Sequence, residues 1–301
     1  MAQYSLPLNP AFIERRRRVQ LLTEFGVQPP PAWTDLAARL DAYLAIDDTA
    51  VTRLCDAIIN PPAKSLPDVA ALRAMALAEQ AGPQTVAVVN NTVVSRVQAE
   101  MVAVYEPAAA KNYATMADQF DAIAADFTAA AATVDPETPP AAMVLAPDDH
   151  RTAWADAERH AHRLDQILPA LAAAAQLAGT RLHTGDGSWF DAPADPGALL
   201  ALALDPEGCQ RRNLWGAWLL DTGRTRRWGA VLAAGATIRA HRGDELTRYR
   251  EPRPLEYRQE QILGRPRGIV RQVTVDPEDE PVPAEEPVPS EEPTPGRLVS
   301  W

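Results

Sequence analysis

The residue types able to do chemistry in this 301-residue chain are few and scattered. Its five histidines are His150, His160, His162, His183 and His241. Asp148-Asp149-His150, with His160 and His162 further on, supplies the donor types of a divalent-metal site. Two residues on a regular helix stand about 200° apart, so His160 and His162 point away from each other and cannot chelate one ion. They read instead as histidines on an exposed helix flank. His183, Asp186 and Ser188 in RLHTGDGSWF combine the residue types of a hydrolytic triad, which would make a hydrolase site near His183 and Asp186. A triad draws its members from separated loops and needs an oxyanion hole, whereas Asp and Ser in a glycine-rich turn commonly cap the backbone. GxGxxG, Walker A, HExxH and GxSxG do not occur. The sequence therefore assigns no catalytic, cofactor-binding or metal-ligating residue and implies no cofactor.

Binding chemistry is better represented. Residues 211–271 carry 14 basic and 6 acidic side chains and interleave arginines with Trp215, Trp218, Trp228, Tyr249 and Tyr257. Arginine neutralises phosphate and aromatic rings stack on bases, so Arg211, Arg212, Arg224, Arg226 and Arg227 form a candidate nucleic-acid contact. The alternative is that these arginines pair with acidic surfaces or with the chain's own acidic tail. Arg15 to Arg18 form a second basic run, but consecutive helical residues splay at about 100° intervals and cannot all face one duplex. Tyr113, Phe120 and Phe127 lie on an apolar seam that is either core or a helix interface with a protein partner.

The tail is the plainest low-complexity element. From Glu280 it reads EPVPAE, EPVPSE, EPTPGR, and it ends in Leu298, Val299 and Trp301. Proline removes backbone donors and like charges repel, so residues 276–301 are predicted to be extended and disordered, with a tip able to hook into a partner's groove. Residues 272–301 carry 1 basic and 8 acidic groups, directly after the basic segment. An acidic tail beside a basic segment could also mask nucleic-acid binding.

The elements positioning these residues are mainly helical. With 47% apolar residues the chain can bury substantial cores, and its length suits two folded parts plus tails. Asn9-Pro10 is a helix start followed by Phe12, Val19, Leu22 and Phe25, ending near Gly26. Thr34 can cap a second helix, Val51 to Ile59 forms a third, and Ser65 with Asp68 resembles a capping box for a fourth carrying Val69, Leu72 and Met75 or Ala76. Residues 1–82 thus read as a short-helix bundle. Residues 84–97 fit a hairpin turning at Asn90-Asn91 or the start of a long helix; Arg96, Gln98 and Glu100, opposite the Val94-Val97-Met101 stripe, favour the helix. The seam from Tyr113 to Val134 completes a long helical segment over 83–134. A Pro-rich connector spans 135–150. Region 151–275 begins with the Trp154 to Leu171 helical stripe and continues as a small mixed, α+β part with the turns HTGDGS and DTGRT and the period-2 run IVRQVTV.

Two cysteines, Cys55 and Cys209, lack CxxC spacing and read as small buried hydrophobes. No signal-peptide pattern precedes the first arginines and no apolar run suits a bilayer span, so a cytoplasmic, non-membrane protein is expected. Alanine occurs 56 times, and arginine outnumbers lysine 27 to 2. The Ala-rich AAAKNYATMADQFDAIAADFTAAAATV, this arginine bias and LLALALDPEG with LWGAWLLD resemble structural proteins of actinobacterial phages and prophages. That resemblance implies a virion component of head, connector or tail, present in several copies, and carries over no individual residue. Together these readings predict a non-enzymatic assembly or adaptor protein that binds protein partners or itself. Nucleic-acid binding through 211–271 is the second reading and a hydrolase the third.

Overall fold

Helical periodicity in the sequence becomes ten helices among the described residues of the computed structural model, which covers 8–45, 50–59, 68–80, 83–183, 195–261 and 270–278. Contacts divide the chain into two units, Met1–Arg250 and Glu251–Trp301.

In the first unit the frame is a pair of long helices, α5 (Pro83–Thr133) and α7 (Asp148–Leu177). At 1.5 Å per residue they run about 76 and 45 Å. The 84–97 stretch is helical, in line with the polar side chains opposite its apolar stripe. Pro107 and Pro169 lie inside α5 and α7. Each removes one ladder hydrogen bond, leaving the carbonyls of Ala103 and Asp165 without that donor. The helices persist because their faces are buried: Met101, Met116, Phe120 and Phe127 of α5 and Leu164 and Leu171 of α7 are inaccessible to solvent. Burial of this kind stabilises by roughly 1.5–3 kcal/mol per large side chain, enough to offset a lost backbone bond.

Four shorter helices precede the pair. In α1 (Pro10–Glu24) the Asn9 side chain accepts the Ala11 amide at 3.0 Å, and Phe12, Val19 and Leu22 turn inward, with α1 lying on α7. In α2 (Pro31–Leu44) the start comes three residues before Thr34, because Pro31 at the first position already has helical φ and lacks the donor a cap would satisfy. It packs on α5 through Trp33, edge-on to Tyr105 at 5.3 Å. α3 (Ala50–Ile59) packs against α4 (Val69–Gln80), whose first turn is capped by Asp68, its carboxylate accepting the Ala71 amide at 2.9 Å. Ser65 lies outside the described residues.

After the connector and a single turn, α6 (Pro140–Met143), and beyond α7, the chain becomes the small mixed region. It contains β1 (Arg181–His183), α8 (Pro196–Ala203), β2 (Leu204–Asp205), α9 (Arg211–Trp218), α10 (Arg227–Ala233), β3 (Thr237–Ile238) and β4 (Glu245–Thr247). β1 pairs with β4 in parallel, Leu182 opposite Leu246, and β2 with β3 antiparallel, Leu204 opposite Ile238. Such short strands carry little stability alone. The region is anchored by Trp218 and Trp228, edge-on to one another at 5.7 Å, with Trp228 also edge-on to Phe120 of α5 at 6.0 Å. The last turns of α7, Ala170 to Ala175, are buried on every side.

In the second unit the alternating IVRQVTV run forms β6 (Val270–Val275), paired antiparallel with β5 (Glu256–Gln261), Arg258 opposite Val273. Arg253 donates its amide to Glu278 at 2.8 Å. No helix among the described residues is long and apolar enough to cross a membrane.

Candidate functional site

The chemistry-bearing side chains converge where the 219–226 loop meets the connector between the two long helices. Glu137 is the hub: its carboxylate accepts the amides of Arg224 (3.0 Å) and Thr225 (2.8 Å) and the Thr225 hydroxyl (2.5 Å). Two glycines make room for it. A Cβ on Gly223, whose φ is +88°, would stand 2.8 Å from a Glu137 oxygen, and one on Gly229 would collide with the Thr225 hydroxyl. Burial works to raise the Glu137 pKa, but the Thr225 hydroxyl and amide, the Arg224 amide and the Arg224 charge outweigh it and hold the carboxyl below its usual range.

Arg224 continues the lock. Its guanidinium lies 3.1 Å from the centroid of the Trp154 ring and donates to the carbonyls of Pro136 (3.0 Å) and Trp154 (3.3 Å) and to Glu158 (2.5 Å). Asp165 accepts Trp228 Nε1 at 3.0 Å and faces Arg226 and Arg227 at 3.5 and 3.6 Å. Arg226 alone of the described non-glycine residues has positive φ, +49° with ψ −132°. That conformation costs on the order of 1–3 kcal/mol and persists because Thr225 and Trp228 on either side are held. On one side of the loop is a cleft of about 720 Å³ walled by Ala131, Ala132, Leu220 and Ala230, and on the other a polar cleft of about 220 Å³ bordered by Glu158 and His162.

The same device recurs twice. Asp121 of α5 accepts the Ala240 amide at 2.6 Å and pairs with Arg242, which also reaches Asp118 at 2.8 Å. Asp195 caps α8 through the Ala198 amide (2.8 Å) and takes a two-point grip from Arg248 at 2.7 and 2.9 Å. Burial opposes ionisation of Asp195 as well, yet Arg248 and the capping amides bring its pKa below the ordinary value. Beside Asp121 lies a cleft of about 570 Å³ that includes Asp205, Arg239, His241 and Tyr249, where Arg239 and Asp205 form a 2.7 Å pair.

The residues singled out from sequence are placed as follows. Phe120 and Phe127 have no exposed surface and Tyr113 very little: the seam packs inside this chain, with the Tyr113 hydroxyl donating to the His241 carbonyl. Burial pushes the Tyr113 pKa to about 12. Arg211 donates to the Arg250 carbonyl at 3.1 Å and sits 4.8 Å over the Tyr249 ring, and Arg212 is half-buried beside it. Arg224, Arg226 and Arg227 face Glu158 and Asp165 of α7; Arg227 also lies 4.9 Å over Trp218. His160, read as a flank residue, is buried, whereas His162 is exposed and 3.1 Å from Gln166. His183 ends β1; its side chain, Asp186, Ser188, Leu298, Val299 and Trp301 lie outside the described residues. Among the described residues no three His, Cys, Asp or Glu groups gather as a metal site.

Sequence reasoning missed Glu137, Thr225 and Asp165, whose partners lie 63 to 88 residues away. On α4 it left Met75 or Ala76 for the apolar face, and Ala76 is the buried one. It put Ile58 and Ile59 on the apolar face of α3. They face outward, and three successive helices expose large apolar side chains: Ile58 (62%) and Ile59 (72%) on α3, Met75 and Leu77 (62%) on α4, Val88 (64%) and Val89 on α5. No protein-family model, curated protein or solved structure matches this chain.

Proposed function

We propose that this chain is a non-enzymatic assembly or adaptor protein that docks through the apolar side chains exposed on α3, α4 and the first turns of α5. The observation carrying this reading is the outward set Ile58, Ile59, Met75, Val88 and Val89. Single exposed apolar residues are ordinary, but large ones recur here on three consecutive helices, of which α3 packs on α4 and α4 on α5. The charged groups in the concave places support it from the other direction. Asp121 and Asp195 each hold a backbone amide and an arginine side chain, and Glu137 holds two backbone amides and a hydroxyl, as fasteners do, whereas a general base needs a lone pair free to take a proton. The compositional resemblance to actinobacterial phage structural proteins gives the setting, a virion head, connector or tail.

Light scattering of the full chain across a hundredfold concentration range tests the reading. A defined oligomer, or a stoichiometric complex with a purified partner, is expected, and Met75→Glu should dissociate it without lowering the thermal midpoint. A protein that stays monomeric throughout and forms no complex would refute it.

A further inference from the structure

The geometry points to the Thr222–Arg226 loop as a carboxylate-binding nest that Glu137 plugs in cis and that an acidic peptide segment of a partner can enter in its place. Successive amides from a turn, directed at one anion, form the concavity that proteins use to hold acidic groups. Here two adjacent amides and a hydroxyl converge on one carboxylate at 2.5–3.0 Å, while the Arg224 guanidinium is held by Glu158 and by the Pro136 and Trp154 carbonyls. Thr225 is fully buried, so its hydroxyl is fixed. Gly223 and Gly229 leave the space the carboxylate fills. The donors belong to the loop and the acceptor to a segment 88 residues away, so donor set and occupant are separable.

Exchange is open to this occupant for a physical reason. Glu137 is an exposed residue of the connector, able to swing out without disturbing the buried face of α5 or α7. The 720 Å³ cleft reaches the nest from the side of Ala131, Leu220 and Ala230, so apolar neighbours of an incoming glutamate have a wall to rest on. The opposite cleft is smaller and polar, its Glu158 and Asp165 already paired with Arg224 and Arg226. Carboxylate is assigned over phosphate because the three donors already fit a planar two-oxygen group, and the neighbouring Asp135 disfavours a dianion. The assembly reading supplies the source of the peptide; the nest itself is tested with a probe, so either can fail without the other.

The experiment uses the full-length protein and Glu137→Ala, Glu137→Ala/Thr225→Val and wild type, titrated calorimetrically with N-acetyl-pentaglutamate amide, with acetate and inorganic phosphate at matched ionic strength as comparison arms. An intramolecular plug competes at millimolar effective concentration, so Glu137→Ala should bind the peptide at least tenfold more tightly than wild type. The double variant should lose that gain, and acetate should raise the thermal midpoint of Glu137→Ala alone. Equal weak binding to all three proteins means diffuse charge attraction and overturns the proposal. Acetate rescue with no peptide binding confines the nest to a structural button, which also overturns it, and preference for phosphate overturns the carboxylate assignment. Should Glu137→Ala not fold in plain buffer, refolding is run in the same anions: recovery with acetate or peptide supports the nest, and failure in all of them contradicts it.

Discussion

Replacing Tyr113 with phenylalanine should make two stability curves cross. The Tyr113 hydroxyl donates to the His241 carbonyl and ties the middle of α5 to the end of the β3 segment. Removing it leaves that carbonyl without a donor, at a cost of about 1–2 kcal/mol near neutral pH. The alkaline side runs the other way. An unfolded chain ionises its tyrosines near pH 10, whereas burial holds the folded Tyr113 neutral up to about 12. Between those values the unfolded state gives up the proton first, so stability that is complete below pH 10 is lost as pH rises toward 12. At about 1.4 kcal/mol per tenfold change in proton affinity, that loss totals roughly 2–3 kcal/mol. Phenylalanine has no such limb. Urea titrations at steps from neutral pH to the alkaline limit should show Tyr113→Phe less stable at the start and equal or more stable at the end. Tyr105, whose pKa burial also raises, is present in both proteins and cancels. Curves that stay parallel throughout would refute the reasoning.

Three other expectations follow from the clamps. Arg226→Gly should raise stability by about 1 kcal/mol by calorimetry, because glycine accepts positive φ and the half-exposed Arg226, 3.5 Å from Asp165, contributes little as an ion pair, while Arg226→Ala should bring no gain. Glu137 and Asp195 have pKa values below the ordinary range, so the unfolded state takes up their protons first as pH falls; the stability they provide is intact at neutral pH and lost through the acid range, and Glu137→Gln or Asp195→Asn should flatten that acid limb in chemical denaturation. Since Arg224, Arg226, Arg227 and Arg242 are engaged by carboxylates of the long helices, truncation after Glu278 should leave DNA binding undetectable at low salt in a fluorescence anisotropy titration; strong salt-sensitive binding would revive the nucleic-acid reading.

What the sequence revealed and what it hid have a common physical cause, the distance over which the signal acts. The Asn9 cap, the Tyr113 to Val134 seam and the alternating Val270–Val275 strand rest on neighbours within a few residues, and each is visible as spacing. The start of α2 at Pro31 rather than near Thr34 was a contest between two local signals, won by a proline whose φ is already helical. The DTGRT turn was legible as a glycine turn, but its meaning depends on Glu137, which no periodicity links to it. Likewise Arg224, Arg226, Arg227 and Arg242 could be counted but not paired, because their acids sit on α5 and α7. The outward aim of Ile58 and Ile59, and the choice of Ala76 over Met75 as the buried residue of α4, are hidden for the same reason: periodicity shows that a helix has an apolar face, and the fold decides whether anything covers it.

Docking through α3, α4 and the start of α5 is tested most directly by methionine oxidation under dilute peroxide, read by peptide mass spectrometry in the assembled and the dissociated protein. Met75 is half exposed, and Met101 and Met116 are fully buried references in the same chain. Assembly should slow oxidation of Met75 several-fold while Met101 and Met116 stay unreactive in both states. A protein that assembles with Met75 oxidised as fast as when dissociated would contradict this account.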